Sequence, residues 1–561
     1  MTTLAGFEPL SPAERSLLKS LESGQFDRLG DGSLPAPDAA DRTIRATLLR
    51  FLLVGGPDAP RPHEKGIRVS GALITGTLDL EGCRIPRDIG LVDCRFTAAP
   101  IMRSAIVDTV FFDGSTLPGL VADLLEARGS IFLRSAAVSG SVVMPGARLG
   151  GELVCDGAAL TQRDGLALDL ERLEARGGVR LRGTTARGGI RLGGARLGGD
   201  LDAVGATLER PDALALDADG LIADGDVVLR LARVTGHARF IGARIDGDLD
   251  CSGADLRRPG GAVLTLDRAV IEGAFFLRQQ AAVDGTLSLV GASLGAVVDA
   301  PDSWPGPGDL LLNRCNYAAL LDCPVDAATR LDWLGRQEPT RWGDDFWPQP
   351  YEQLARVLAE MGHDTDAREV LIQKERLQRR ARRARSSSGA VRAILALNDL
   401  LLGITVRYGH QSLLAFAWLG LFWLAGAGLL ATLAAQDALR PNVPIVLRSP
   451  EWALCSTPTT KRLYLPSLDV TRPGLAAPGQ SQLDCYLAQP EGQSYPKFNF
   501  WIYSLDALTP GLETGQQDYW APDTRSTWGR IGRAYLYVHV LVGWALSLLA
   551  IAGFSGLVRS R

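Results

Sequence analysis

Apolar residues are distributed in three different ways along the chain. Over the first 300 residues they form short runs of Leu, Val, Ile and Ala, each closed within a few positions by Gly. Short β-compatible runs punctuated by glycine predict many brief strands with tight turns. From 351 to 385 the apolar positions fall at helical spacing instead, with Leu354, Val357 and Leu358 facing Ala367, Val370 and Leu371 across a turn near Gly362-His363-Asp364. Towards the C-terminus, residues 411–435 and 534–558 are two uncharged apolar runs. About 20 apolar residues cross the ~30 Å hydrocarbon core, so each run is long enough for a transmembrane helix.

The early pattern is a repeat. GALITGTLDLEGCRI starts at Gly71, GARLGGELVCDGAAL at Gly146, GARLGGDLDAVGATL at Gly194, GARIDGDLDCSGADL at Gly242 and a degraded GASLGAVV at Gly291. The last four starts are 48, 48 and 49 residues apart. A second marker recurs with them: LALD ending at Asp169 and Asp217, and LTLD ending at Asp267. This predicts a parallel β-helix, or solenoid, with about two coils per repeat, Gly at its corners and small Ala inside. Cys83, Cys155 and Cys251 lie in or beside the motif copies as small core residues. Asp79, Asp200, Asp202, Asp248 and Asp250 would stack into a ladder, and they read as solvated turn acids.

The resulting fold class is mainly β: a parallel β-helix with helical caps, followed by a helical hairpin and two transmembrane α-helices. An N-terminal helical cap is expected over 1–60, with Ile44, Leu48, Leu49 and Leu52 at helical spacing in 41–54. The repeat domain spans 61–330. A hairpin resembling a single tetratricopeptide unit and a basic juxtamembrane segment span 331–388. An interfacial helix covers 389–410, its apolar stretch too short to cross a bilayer and interrupted by Asp399. The spans are 411–435 and 534–558, separated by an outward loop domain, 436–533, that contains a re-entrant or pore-like segment at 495–522.

Charge orients this arrangement. Net charge is only −4, so no global attraction to nucleic acid exists and none is expected as a partner. Eight Lys/Arg crowd 368–385, and Arg392, Arg407, Arg559 and Arg561 flank the spans. The positive-inside rule then puts both termini in the cytoplasm. Arg376, Arg379, Arg380, Arg382, Arg383 and Arg385 are expected to face anionic lipid headgroups. The start MTTLAGFEPL lacks the basic-then-apolar order of a signal peptide, and Ser11-Pro12 marks a soluble helix start. Cys455 and Cys485 lie in the outward loop, where an oxidising compartment permits a disulfide.

Candidate chemistry is sparse. No CxxC, HExxH, Walker loop or GxSxG occurs, and His63, His237, His363, His410 and His539 are scattered. No enzyme activity, cofactor or metal is expected. His539 is read as an interfacial residue within reach of headgroups. The most suggestive segment is YPKFNFWIYSLDALTPGLETGQQDYWAP, 495–522. Phe498, Trp501, Ile502, Leu505 and Leu508 form an apolar helical stripe expected on the outer leaflet. Alternatively, the order span, short helix, Gly-containing loop, span resembles the two-helix pore module of tetrameric cation channels, in which loop carbonyls replace ion hydration. Thr509, Pro510, Gly511, Glu513, Thr514 and Gly515 are the candidate pore residues. TPGLETG departs from TVGYG, Pro510 fixes the backbone and Glu513 adds charge, so potassium selectivity does not follow.

Taken in order, TIRATLLRFLLVG, the GALITGTLDLEG-type repeats, PQPYEQLARVLAEMGHDTDAREVLIQK and FWIYSLDALTPGLETGQ resemble a group of bacterial membrane proteins. These join a pentapeptide- or β-helix-like cytoplasmic domain to two C-terminal spans. Some carry the label "membrane-associated oxidoreductase", which no redox motif in this sequence supports. The resemblance implies a bacterial inner-membrane protein and assigns no catalytic residue. Three functions follow in order of expectation. The first is a non-enzymatic interaction or sensing platform, with a protein partner on the solenoid or hairpin. The second is a homo-oligomeric cation channel regulated by the solenoid, and the third an enzyme at the acid ladder.

Overall fold

The structure, a computed structural model, describes residues 3–56, 58–337, 346–409, 411 and 413–554. His410, the end of the expected second span (555–558), Arg559 and Arg561 lie outside the described residues. The chain divides into two compact units, Met1–Ala381 and Arg382–Arg561.

The first unit is a parallel β-solenoid of about 12 turns. A typical coil places four short strands in sequence, Glu126–Ala127, Ile131–Phe132, Ala137–Val138 and Val142–Val143. Each pairs in parallel with its counterpart one coil on. Alternate residues point inward, so Leu125, Ala127, Ile131, Leu133, Ala136, Val138, Val142 and Met144 fill the interior and none is more than 5% exposed. The Gly-Ala of the repeat now has a cause. Gly146 and Gly157 turn the corner in the left-handed region (φ 64° and 66°), and the following Ala147 and Ala158 are buried, with Ala147 between Leu125 and Leu173 of the neighbouring coils in the same column.

The 48-residue repeat is an unequal pair of coils. Along one column, partners are alternately 22 and 26 residues apart: Glu126↔Arg148, Arg148↔Glu174, Glu174↔Arg196, Arg196↔Ile222. The longer coils carry their extra residues in the strands Ala159–Asp169, Thr207–Asp217 and Asp255–Thr265, which bulge between Thr161 and Leu166, Glu209 and Leu214, and Arg257 and Ala262. Beyond the bulge, Asp169, Arg191, Asp217, Arg239 and Thr265 stand in one column. The third marker copy is therefore out of step, because Thr265 and not Asp267 holds the equivalent place.

Helices flank the solenoid. At its start, α1 (Pro12–Ser20) begins with a capping box at Ser11 and Glu14. The stretch 41–54, expected as one helix, divides into a 3-10 turn, the strand Thr43–Arg45 and α2 (Ala46–Val54). Leu48, Leu49 and Leu52 of α2 enter the same hydrophobic core as the coils. After the last rung, Asn316–Leu320, come α3 (Ala327–Gly335), α4 (Gln349–Glu360) and α5 (Asp364–Ala384). Arg330 of α3 is wholly buried. Its guanidinium donates two bonds to Asp299 (2.9 and 2.7 Å) and one to the Pro324 carbonyl (2.7 Å). It also lies over the rings of Trp304 and Trp333, at 5.7 and 5.3 Å.

The second unit contains α6 (Gly389–Thr405), α7 (Leu413–Ala435), α8 (Phe500–Leu508) and α9 (Thr527–Phe554), with shorter helices and one small hairpin, Arg462–Leu465 with Val470–Pro473, between α7 and α8. Two helices, Leu413–Ala435 and Thr527–Ala552, are long and apolar enough to cross a membrane. The second begins seven residues before the expected span, so Arg530 and Arg533 belong to its first turns.

Breaking the Asp299–Arg330 pair leaves a buried charge without its counter-ion, a loss of about 3–5 kcal/mol. Asp299→Asn is expected to accelerate hydrogen exchange in residues 310–320. The apolar pair Asp299→Leu with Arg330→Met is expected to restore much of the protection. Unchanged exchange in the single variant would contradict this role for the pair.

Candidate functional site

The polar chemistry of the second unit converges where α7, α8 and α9 meet. Asn499 starts α8 by accepting the backbone N–H groups of Trp501 and Ile502 (3.0 and 3.1 Å). One turn on, Ser504 Oγ donates to the carbonyl of Trp423 in α7 (2.9 Å). Trp423 Nε1 in turn donates to the carbonyl of Trp501 (3.0 Å). From α9, His539 Nε2 lies 3.1 Å from the carbonyl oxygen of Ser504. Small residues permit this closeness. A Cβ on Gly426 of α7 would stand 2.4 Å from Ser504 Oγ, and one on Gly543 of α9 would stand 1.8 Å from the Leu508 carbonyl oxygen.

Two expectations are corrected here. The apolar stripe of α8 does not rest apart from the spans, because α8 packs against both α7 and α9 and bonds to backbone near the middle of α7. His539 is not interfacial. It has no exposed surface and its ring faces Ser504.

Beyond α8 the chain turns back through residues 509–515. Thr509, Pro510 and Gly515 are half-buried, whereas Gly511, Leu512, Glu513 and Thr514 are exposed. Gly511 and Gly515 take left-handed backbone (φ 83° and 78°), which permits the reversal. Asp506, 7% exposed, pins the loop by accepting the N–H of Thr514 (3.1 Å) and of Gln517 (3.2 Å). The strand Trp520–Pro522 then pairs antiparallel with Leu439–Pro441, which follows the end of α7. Cys455 and Cys485 are joined by a disulfide (Cα–Cα 5.6 Å), packed among Trp452, Ala476 and Tyr486. Of these residues, sequence reasoning missed Asn499, Ser504 and Asp506. The N-cap at Asn499 was the one local signal available.

Part of the basic segment is engaged in ion pairs. Arg379 pairs with Glu375 (3.4 Å) and Arg383 with Asp399 (3.2 Å), while Arg376, Arg380, Arg382 and Arg385 are exposed. On α6 the apolar residues Val391, Ile394, Leu397, Leu401 and Ile404 are exposed along one face.

Several of the solenoid's ladder acids also tie one coil to the next, whereas Asp79 is exposed and accepts the N–H of Glu81 two residues on (3.0 Å), as a turn acid does. Asp200 accepts the N–H of Asp226, Asp226 that of Asp248 and Asp248 that of Ala274, at 2.8, 2.8 and 2.7 Å. Asp202 is 5% exposed and paired with Arg182. A groove of about 900 Å³ runs along another face, lined among others by Glu126, Arg148, Glu174 and Arg196. Its mixed charges include Arg148 between Glu126 and Glu174. Burial pushes the Cys94, Cys155 and Cys315 thiols up to about 12, so they stay protonated as core residues. Among the described residues no group of three or more His, Cys, Asp or Glu stands ready to hold a metal ion.

Comparison with protein-family models, curated proteins and solved structures gave no match.

The tight seat of α8 makes a specific prediction. Gly543→Ala is expected to destabilise the α7–α8–α9 packing by about 1–3 kcal/mol, read as faster hydrogen exchange in residues 500–508. Gly428→Ala, whose added Cβ meets nothing within 4 Å, is expected to leave that exchange unchanged. Equal effects from both would contradict the close approach.

Proposed function

We propose that the chain is the subunit of a homo-oligomeric membrane pore that conducts cations, with residues 509–515 lining the path. The observation that carries this reading is the seat of α8 between α7 and α9. Its Ser504 and Leu508 meet residues near the middle of two helices long enough to span a bilayer. Backbone that reverses direction at such depth presents polar groups outside any helix or strand. Hydrocarbon cannot satisfy them, so such backbone faces protein or a water-filled cavity. Gly511, Leu512, Glu513 and Thr514 are exposed in the single chain, and two spans per chain enclose a cavity only when several copies assemble. Glu513 then contributes one carboxylate per subunit, which favours cations.

The solenoid enters this reading as the regulatory part, on the cytoplasmic side. Its platform role is supported by an extended regular surface and the groove lined by Arg148 and Arg196. The charge distribution around the spans supports cytoplasmic termini, the family resemblance supports a bacterial inner membrane, and the exposed apolar face of α6 suits the inner leaflet.

Purified full-length protein in a planar bilayer is expected to give cation-selective conductance. Glu513→Gln is expected to lower cation-over-anion selectivity about fivefold, the effect of a Coulomb attraction of ~1 kcal/mol. Absence of conductance, or selectivity unchanged by the substitution, would count against the reading. For topology, Cys455 and Cys485 are expected to resist alkylation in intact cells until reduced, while Cys315 reacts after unfolding without reductant. The reverse pattern would invert the orientation.

A further inference from the structure

His539 has no exposed surface. Its Nε2 lies 3.1 Å from the Ser504 carbonyl oxygen and 3.4 Å from Ser504 Oγ. That hydroxyl has one hydrogen, which it gives to the Trp423 carbonyl at 2.9 Å. Both oxygens facing Nε2 are therefore acceptors, so Nε2 carries the hydrogen and Nδ1 is the bare nitrogen. Nδ1 is itself buried, and no hydrogen-bond partner among the described residues reaches it.

The surroundings offer no ready counter-ion. On α9 the neighbouring ring is Tyr535, 5.2 Å away, whose buried hydroxyl also has no partner among the described residues. On α8 the titratable groups are Tyr503 and Asp506. Each carboxylate oxygen of Asp506 already accepts a loop N–H, from Thr514 and from Gln517. The third helix, α7, carries no titratable side chain.

We propose that Nδ1 of His539 is a proton-binding site that controls how α8 seats between α7 and α9. A neutral ring holds α8 through Nε2–H. A proton on Nδ1 adds a charged donor with no acceptor at a three-helix junction, where an unmade bond is costly. Water must enter, or the ring must swing away, and either event breaks the Ser504 contact. The functional consequence rests on the pore reading: when α8 loosens, residues 509–515 lose their support and conduction falls on acidification.

The test uses the full-length protein in lipid, as wild type, His539→Gln and His539→Leu. The Gln amide can donate to Ser504 but takes no proton in this range, and Leu does neither. Hydrogen exchange of residues 500–508 is compared among the three at about pH 7.5 and about pH 5.5, either side of the ordinary imidazole range. Comparison at equal pH removes the intrinsic pH dependence of exchange. Wild type is expected to match His539→Gln at the higher pH and to exchange up to about tenfold faster at the lower, the limit that proton linkage sets one pH unit below the ordinary imidazole pKa. His539→Leu is expected to exchange faster than His539→Gln at both. Bilayer conductance at the two pH values is the second readout, with the acid-dependent fall expected in wild type and absent in His539→Gln. If no sample conducts, the pore reading fails while the exchange comparison still decides the proton site. Wild type and His539→Gln sharing one pH profile in exchange would overturn the proposal.

Discussion

Backbone N–H and C=O groups removed from water must find partners, and both units are organised by that constraint. In the solenoid each rung donates to the next, so the cost is met coil by coil and concentrates at the ends. Beyond the last rung, Asn316–Leu320, a helix bearing Arg330 is held to Asp299 by a fully buried, doubly bonded ion pair. In the second unit the same constraint is harder to meet, because α8 and the loop after it reverse direction between two long apolar helices. Ser504, His539, Trp423 and Asp506 supply the missing partners there.

Magnitudes separate the polar features of the solenoid. Many Arg–Asp and Arg–Glu pairs stud its surface, such as Arg148 with Glu174 and Arg103 with Asp123. Exposed pairs of this kind contribute roughly 0–1 kcal/mol each. Bonds from a carboxylate to backbone N–H are worth about 1.5–3 kcal/mol, so the Asp200, Asp226 and Asp248 series stabilises the stack more than the visible charge ladders. The series also closes corners where Gly225, Gly247 and Gly273 leave no room for a side chain. Much of the acid ladder is thus part of the scaffold, which moves functional interest to the second unit.

The solenoid was legible because its cause is local and repeated. A left-handed corner followed by a buried small residue writes Gly-Ala into the chain every coil pair, and the 48-residue period follows. Its division into unequal coils was not legible. The bulges at Arg163-Asp164, Pro211-Asp212 and Pro259-Gly260 shift register without disturbing the period, and Asp267 mimics a marker that Thr265 holds in space. The depth of α8 was hidden for a different reason. Phe498, Trp501, Ile502 and Leu505 give the same stripe to a surface helix and to an inserted one. The difference lies in Gly426 and Gly543, small residues on two other helices whose close approach to Ser504 and Leu508 no local pattern records. The buried state of His539 follows from the same packing.

The central claim is that residues 509–515 face water at depth in the membrane. Its most direct test is the reactivity of Leu512→Cys and Thr514→Cys towards a membrane-impermeant thiol reagent in intact membranes, with the Cys455–Cys485 disulfide left oxidised. The account predicts rapid modification at both positions, slowed by permeant cations. Protection of both positions in membranes, with reaction only after solubilisation, would contradict it.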